Sequence, residues 1–250
     1  MEAIIMIYLL AIVGAEVVTT LFVPLWGILY HIAILTAVLV YSALVYRHYY
    51  QQLLLPLTLV PLSRIISLTV PLLPLADVPR IWLYPAIYGP LLVAAVVITS
   101  ILRYSAFEIG LNSKRLTTQF IVGGTGFILG LVGYLILKPE PLITVFAWYE
   151  VVLAAAILLL YTGLAVELVF RGVIQHSTVD VIGGWGIIYV SLLFATLYIE
   201  TLSLVHVIFA FVISLYFGWI AKKTGSILGV GLAHGILNII LYLFAPLLLG

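Results

Sequence analysis

Nine apolar runs of about 20 residues follow one another along the chain, each long enough as a helix to cross the ~30 Å of hydrocarbon in a bilayer. They cover residues 3–23, 27–46, 53–73, 82–102, 119–137, 142–169, 183–199, 204–221 and 225–247. In lipid every backbone N–H and C=O must find a partner inside the protein, so runs of this length read as α-helices. The expected fold is an all-α polytopic membrane protein with about nine transmembrane helices in one membrane domain over residues 1–250, without internal repeats. Composition agrees: of 250 residues, 65% are hydrophobic and 8% charged, against roughly a quarter charged in soluble chains. The first two runs are separated only by "VPLWG", whose Pro24 and Gly27 break an overlong stretch into an N-terminal hairpin, residues 1–49. Met1-Glu2 lacks a basic leader, so the first run is expected to be retained.

The loops carry an orientation signal. Arg47, Arg103, Lys114, Arg115, Lys222 and Lys223 all fall on one side of a nine-span chain, and the positive-inside rule makes that side cytoplasmic. An integral plasma-membrane protein with a cytoplasmic N-terminus is expected, although Arg80 and Lys138 fall on the opposite side. All five tryptophans lie near span ends, at headgroup level. The third run holds Pro56, Pro61, Pro71 and Pro74, so its hydrogen-bond ladder must be interrupted and re-satisfied by neighbouring helices. Residues 103–119 form the longest polar stretch, a loop or short interfacial helix.

A net charge of +1 gives no electrostatic footprint for nucleic acid, and membrane lipid is the expected surrounding partner. The absence of cysteine excludes disulfides, thiolate nucleophiles and Cys-based metal sites. No metal or other cofactor is expected: HExxH is missing, and His176, His206 and His234 are scattered in depth, whereas catalytic zinc needs about three convergent ligands. No G-x-S-x-G is present, and Ser191, Ser203 and Ser214 have no evident base.

Chemistry concentrates where polar groups persist in apolar runs, because each intramembrane charge costs about 2.5–3.5 kcal/mol on insertion scales. Glu167 and Arg171 lie one turn apart in "GLAVELVFRGVIQ" and can form a charge-assisted pair near the inner end of the sixth span. In "GVGLAHGILNII", His234 and Asn238 share a face, and Gly231 and Gly235 permit close approach of another helix. That pair suits either interhelical hydrogen bonding or a pocket for a polar reacting group. Glu16 and Arg64 are isolated intramembrane charges of opposite sign, expected to support packing, with each other among the options. Glu200 and His206 are expected to form a solvated interfacial pair. Gly126 and Gly130 make a GxxxG face suited to a helix partner, such as another membrane subunit.

These residues resemble the CPBP family of intramembrane proteases, which includes the type II CAAX prenyl endopeptidases. The resemblance covers residues 50–247, a CPBP-like core and helical bundle. "VELVFRGVIQ" is similar to the family's first motif, two adjacent glutamates followed by an arginine; "SLLFATLYIE" to its F-x-x-x-H; "TGSILGVGLAHGILN" to its H-x-x-x-N. The segments "VPLSRIISLTVPL" and "LKPEPLI" resemble archaeal members. The resemblance implies that Glu167, Arg171, His234 and Asn238 are retained site residues, with Phe170 and Phe194 as motif packing. It also implies two losses: Val166 stands in place of the first glutamate and Tyr198 in place of the second motif's histidine. In the family that glutamate and histidine activate the attacking water, while the third motif's histidine and asparagine stabilise the oxyanion. Valine accepts no proton, and a phenol of ordinary pKa ~10 is a poor base at neutral pH. A base contributes about 10²- to 10⁴-fold, so the resemblance implies weak or absent peptide hydrolysis by a pseudoprotease whose cavity still takes a peptide or prenylated C-terminus. Tyr198 Oη is expected to reach Glu167 or His234. The alternatives are an active endopeptidase using Glu167 as base, and a non-enzymatic subunit of a membrane complex.

Overall fold

The structure, a computed structural model, describes residues 2–45, 48–73, 78–143 and 147–249; Tyr46, Arg47 and Pro74, which entered the sequence reading, lie outside these. The described residues form a helical membrane bundle. In chain order come α1 (Glu2–Leu21), α2 (Pro24–Leu44), α3 (His48–Leu57), α4 (Leu59–Thr69), α5 (Leu83–Leu102), α6 (Leu116–Leu137) and α7 (Trp148–Ile157). After two π-helical segments follow α8 (His176–Ile182), α9 (Trp185–Thr196), α10 (Leu204–Thr224), α11 (Leu228–Ile239) and α12 (Ala245–Leu249). Among the described residues, eight continuous helical stretches are long and apolar enough to cross a membrane. The expected seventh span is instead a shorter apolar helix, Trp185–Thr201, closed by a 3₁₀ turn at Ile199–Thr201.

The sixth span departs furthest from the sequence reading. It runs unbroken from Trp148 to Ile182, 35 residues, about 52 Å at ~1.5 Å per residue. Its polar end, with Gln175, His176, Ser177 and Asp180, reads as loop in one dimension but continues the helix. Glu167 and Arg171 therefore lie well inside this helix rather than at its end. Two segments, Leu158–Ala165 and Leu168–Gln175, are wound as π-helix and flank Val166 and Glu167. Such wide turns are found frequently at functional sites.

The basic loops gather at one end of the bundle. The amide of Asn112 donates to the Gly225 carbonyl at 2.6 Å, Ser226 Oγ to the Asn112 carbonyl at 2.9 Å, and Ile227 N–H to the Gly110 carbonyl at 3.0 Å. Residues 103–115 and 222–227 thus meet, and Tyr104 Oη bonds Ser177 Oγ at 3.0 Å, bringing α8 to the same end. The 103–115 segment is a series of turns rather than a helix. Within it, Glu108 accepts from the Ser105 amide and hydroxyl at 2.7 and 2.6 Å, bonds that hold its carboxyl below the usual carboxylate range. Arg80 and Glu140, 3.9 Å apart and exposed, mark the opposite end.

The third span breaks where its prolines dictate. Pro61 has no N–H for the carbonyl of Leu57, four residues earlier, and the helix is interrupted at Thr58. Tyr8 Oη, from α1, donates to that carbonyl at 2.6 Å. Tyr189 of α9 donates to the Ile5 carbonyl at 3.1 Å, so the N-terminal hairpin is tied to the rest at both contacts. Tyr8→Phe is expected to cost about 1–3 kcal/mol, the penalty of a buried acceptor left unsatisfied; thermal unfolding in detergent measures it.

Small residues set the remaining packing. Between helices in lipid there is little hydrophobic driving force, so close approach of backbones carries the association. Gly126 and Gly130 of α6 face α11: a Cβ on Gly130 would come 2.8 Å from the Leu237 carbonyl, and one on Gly126 would collide with the Ala233 carbonyl. The GxxxG face is therefore used inside the chain, with α11 as its helix partner.

Candidate functional site

The site begins with three glycines. A Cβ on Gly163 would come 2.5 Å from the Gly231 carbonyl and 2.9 Å from Gly235 Cα, so α11 and the first π-helical segment approach almost backbone to backbone. This contact carries His234 to Glu167, with Glu167 Oε1 2.7 Å from His234 Nδ1. The other carboxylate oxygen, Oε2, lies 3.1 Å from Arg171 Nε, close enough for an ion pair but without the alignment of a hydrogen bond. Both partners are buried. Arg171 also donates from Nη2 to Ser214 Oγ at 2.9 Å and to the Ser214 carbonyl at 3.1 Å. Its guanidinium stands over the Phe194 ring, 5.1 Å from the centroid, and Phe194 meets Phe170 edge-on at 5.0 Å. Such contacts add about 0.5–2 kcal/mol to a desolvated cation. The two phenylalanines are thus the walls of the Arg171 slot.

One turn beyond His234, Asn238 Nδ2 donates to Thr162 Oγ1 at 2.9 Å, and that hydroxyl donates to the Leu158 carbonyl at 2.6 Å. Thr162, which carried no signal in the sequence beyond being polar, fixes the Asn238 amide and leaves its second N–H free of this bond.

These groups border a cavity of about 350 Å³. Val166, Tyr198, His234, Asn238, Phe170 and Phe194 line it; Glu167 and Arg171 do not. Val166 faces the cavity, and Glu167, ~100° further round the helix, lies behind the wall. Tyr198 lies against Phe194, ring centroids 5.7 Å apart. Among the described residues no hydrogen bond joins Tyr198 to Glu167 or His234, contrary to expectation, because both oxygens of Glu167 already face His234 and Arg171. Tyr84, Tyr88 and Tyr242 line the same space as Tyr198.

Arg64 of α4 and Glu200 line the other polar end of the cavity. Arg64 grips Glu16 with two bonds, Nε to Oε1 at 2.6 Å and Nη2 to Oε2 at 2.8 Å, and reaches Glu200 Oε2 at 2.7 Å. Glu16 and Arg64 are thus partners. Glu200, 46% exposed, pairs with Arg64 and not with His206, correcting the expected interfacial pair: Arg64 Nη2, already bonded to Glu16, has a further N–H that it donates to Glu200. His206 instead lines the cavity, its Nδ1 without a hydrogen-bond partner among the described residues. His31, fully buried, comes within 3.4 Å of Glu16 Oε1. No group of three or more metal-ligating side chains occurs among the described residues.

Residues 147–240 match the family model described as Type II CAAX prenyl endopeptidase Rce1-like. All three motif segments lie inside the matched stretch, while α1 to α6 lie outside it. The match supports the CPBP family and a CAAX-protease-like integral membrane protein. No curated protein and no solved structure matches the chain.

Proposed function

We propose that the protein is a degenerate CAAX-protease-like membrane protein that captures an apolar or prenylated peptide tail in its cavity and cleaves peptide bonds weakly or not at all. One observation carries this reading: Val166 and Tyr198, the two positions where the water-activating pair would stand, both line the cavity that His234 and Asn238 also line. The binding space persists while its wall offers a methyl group and a phenol where a carboxylate and an imidazole are needed. Glu167 as base is disfavoured, since it lies behind the wall and both oxygens are engaged. A role as subunit of a larger complex loses its support with the GxxxG face, which is spent on α11. We propose that the protein sits in the plasma membrane with the basic end of the bundle and the N-terminus on the cytoplasmic side, following the positive-inside rule.

Fluorescence anisotropy of a farnesylated peptide with purified protein in detergent tests the reading. Saturable binding is expected, competed by unlabelled farnesyl-peptide and not by the unprenylated peptide. Val166→Trp, which fills the wall, is expected to weaken binding about tenfold or more, since ~1.4 kcal/mol is less than the burial of two methylenes. Absence of saturable binding would overturn the proposal.

A further inference from the structure

The resemblance gives His234 the part of an oxyanion donor, but its hydrogen bonding points elsewhere. A guanidinium is always charged and only donates, and Arg171 Nε faces Glu167 Oε2 at 3.1 Å. With Glu167 taken as the carboxylate partner of that guanidinium, the 2.7 Å contact with His234 Nδ1 is a bond donated by the ring. In a neutral imidazole with hydrogen on Nδ1, Nε2 carries a lone pair and cannot donate to an oxyanion. The Nδ1 edge faces Glu167 behind the wall, whereas the ring itself lines the cavity. Phe217 and Phe194, with centroids 5.6 and 6.1 Å away, hold the ring in place. A carboxylate fixing the tautomer of an imidazole whose other nitrogen is free is the arrangement that makes histidine a general base.

We propose that Glu167 and His234 form a carboxylate–imidazole dyad that hydrolyses carboxylic esters with an apolar acyl chain, with His234 Nε2 as general base, Asn238 as oxyanion donor and Glu167 as positioning residue. Nε2 takes a proton from water as the water oxygen bonds to the ester carbonyl carbon. The carbonyl π pair moves onto its oxygen, towards the second N–H of Asn238, whose first is held by Thr162. The intermediate collapses as the bond to the leaving oxygen breaks and Nε2 returns its proton to that oxygen, releasing acid and alcohol. An alkoxide or phenolate leaves more readily than an amine, so one imidazole suffices where the peptide reaction needs the lost pair as well. Phe170, Phe209 and Leu237 on the cavity wall supply the apolar surface for the acyl chain. This inference rests on the cavity reading above, but not on a peptide as the occupant.

Hydrolysis of p-nitrophenyl hexanoate by the whole protein in detergent, with farnesyl-peptide binding followed on the same preparation, tests it. The expected result is saturable hydrolysis with a normal solvent deuterium isotope effect on kcat, lost to background in His234→Gln. Glu167→Gln turns an amide N–H towards Nδ1 and forces the hydrogen onto Nε2; kcat should fall about 10²- to 10⁴-fold with KM unchanged. A melting profile in the same detergent checks that each variant is folded, and the isotope effect on the unaltered protein stands independently of them. No hydrolysis by the unaltered protein, or undiminished hydrolysis by folded His234→Gln, overturns the dyad. Peptide capture without hydrolysis leaves the cavity reading standing and sinks the dyad; hydrolysis without capture keeps the cavity and the dyad and sinks the peptide tail as its occupant.

Discussion

Val166→Glu together with Tyr198→His is expected to raise cleavage of a quenched prenyl-peptide by about 10²- to 10⁴-fold, the range that a positioned base supplies. Both positions already line the cavity, so neither new side chain needs a change of backbone or a turn of the helix to reach a substrate. Val166 is 5% exposed, and a carboxylate there is tolerable only because its face opens on a polar-ended cavity and Arg171 neutralises the neighbouring Glu167. Each substitution alone should recover far less, because a base and the group that positions it act as a unit. Cleavage by the unaltered protein that disappears in Glu167→Gln and persists in His234→Gln would contradict this account and make Glu167 the base.

Arg64→Met is the second large expected effect, and it falls on stability. Glu16 is fully buried and its two oxygens are held by Arg64. Removing the guanidinium strands a carboxylate in the bundle, which costs about 3–5 kcal/mol, or a fall in the melting temperature on the order of 10 °C for a chain of this size. Adding Glu16→Gln to Arg64→Met should recover most of that loss, because the penalty comes from the uncompensated charge rather than from the missing bond. A double variant no more stable than the single one would mean that Arg64 acts through packing or through Glu200. Thermal unfolding in detergent distinguishes these, and Glu200→Gln, half-exposed at the cavity, should have a much smaller effect.

The order of the apolar helices, and eight of the nine as long enough to cross, were legible because crossing a bilayer is a one-dimensional requirement on apolar length. The Glu167–Arg171 pair followed from a spacing of four, and the meeting of Glu16 with Arg64 from the cost of leaving either alone. What could not be read depends on three-dimensional placement. The polar residues from Gln175 to Asp180 look like a loop, yet they cap the sixth helix beyond the apolar run and hold the loop at Tyr104. Gly126 and Gly130 announced a close helix contact without saying that α11 would make it. The attachment of Glu200 to Arg64 spans 136 positions and has no local signature. That Val166 faces the cavity and Glu167 does not was likewise hidden, because adjacent helix positions diverge by ~100° and which of them looks inward depends on how the neighbouring helices pack.

The π-turns of the sixth span bear on how the chain tolerates changes in its own length. A π-turn holds about one residue more than an α-turn, so deleting one residue within Leu158–Ala165 can be absorbed by tightening the helix. The segments before and after the deletion would then keep their relative rotation, whereas the same loss in a regular α-helix would swing one against the other by ~100°. With a second loose stretch at Leu168–Gln175, the same holds on the other side. The two faces that matter, one turned to the cavity and one to Arg171 and His234, sit between two slack segments of helix, and small insertions or losses on either flank need not change which residue looks inward.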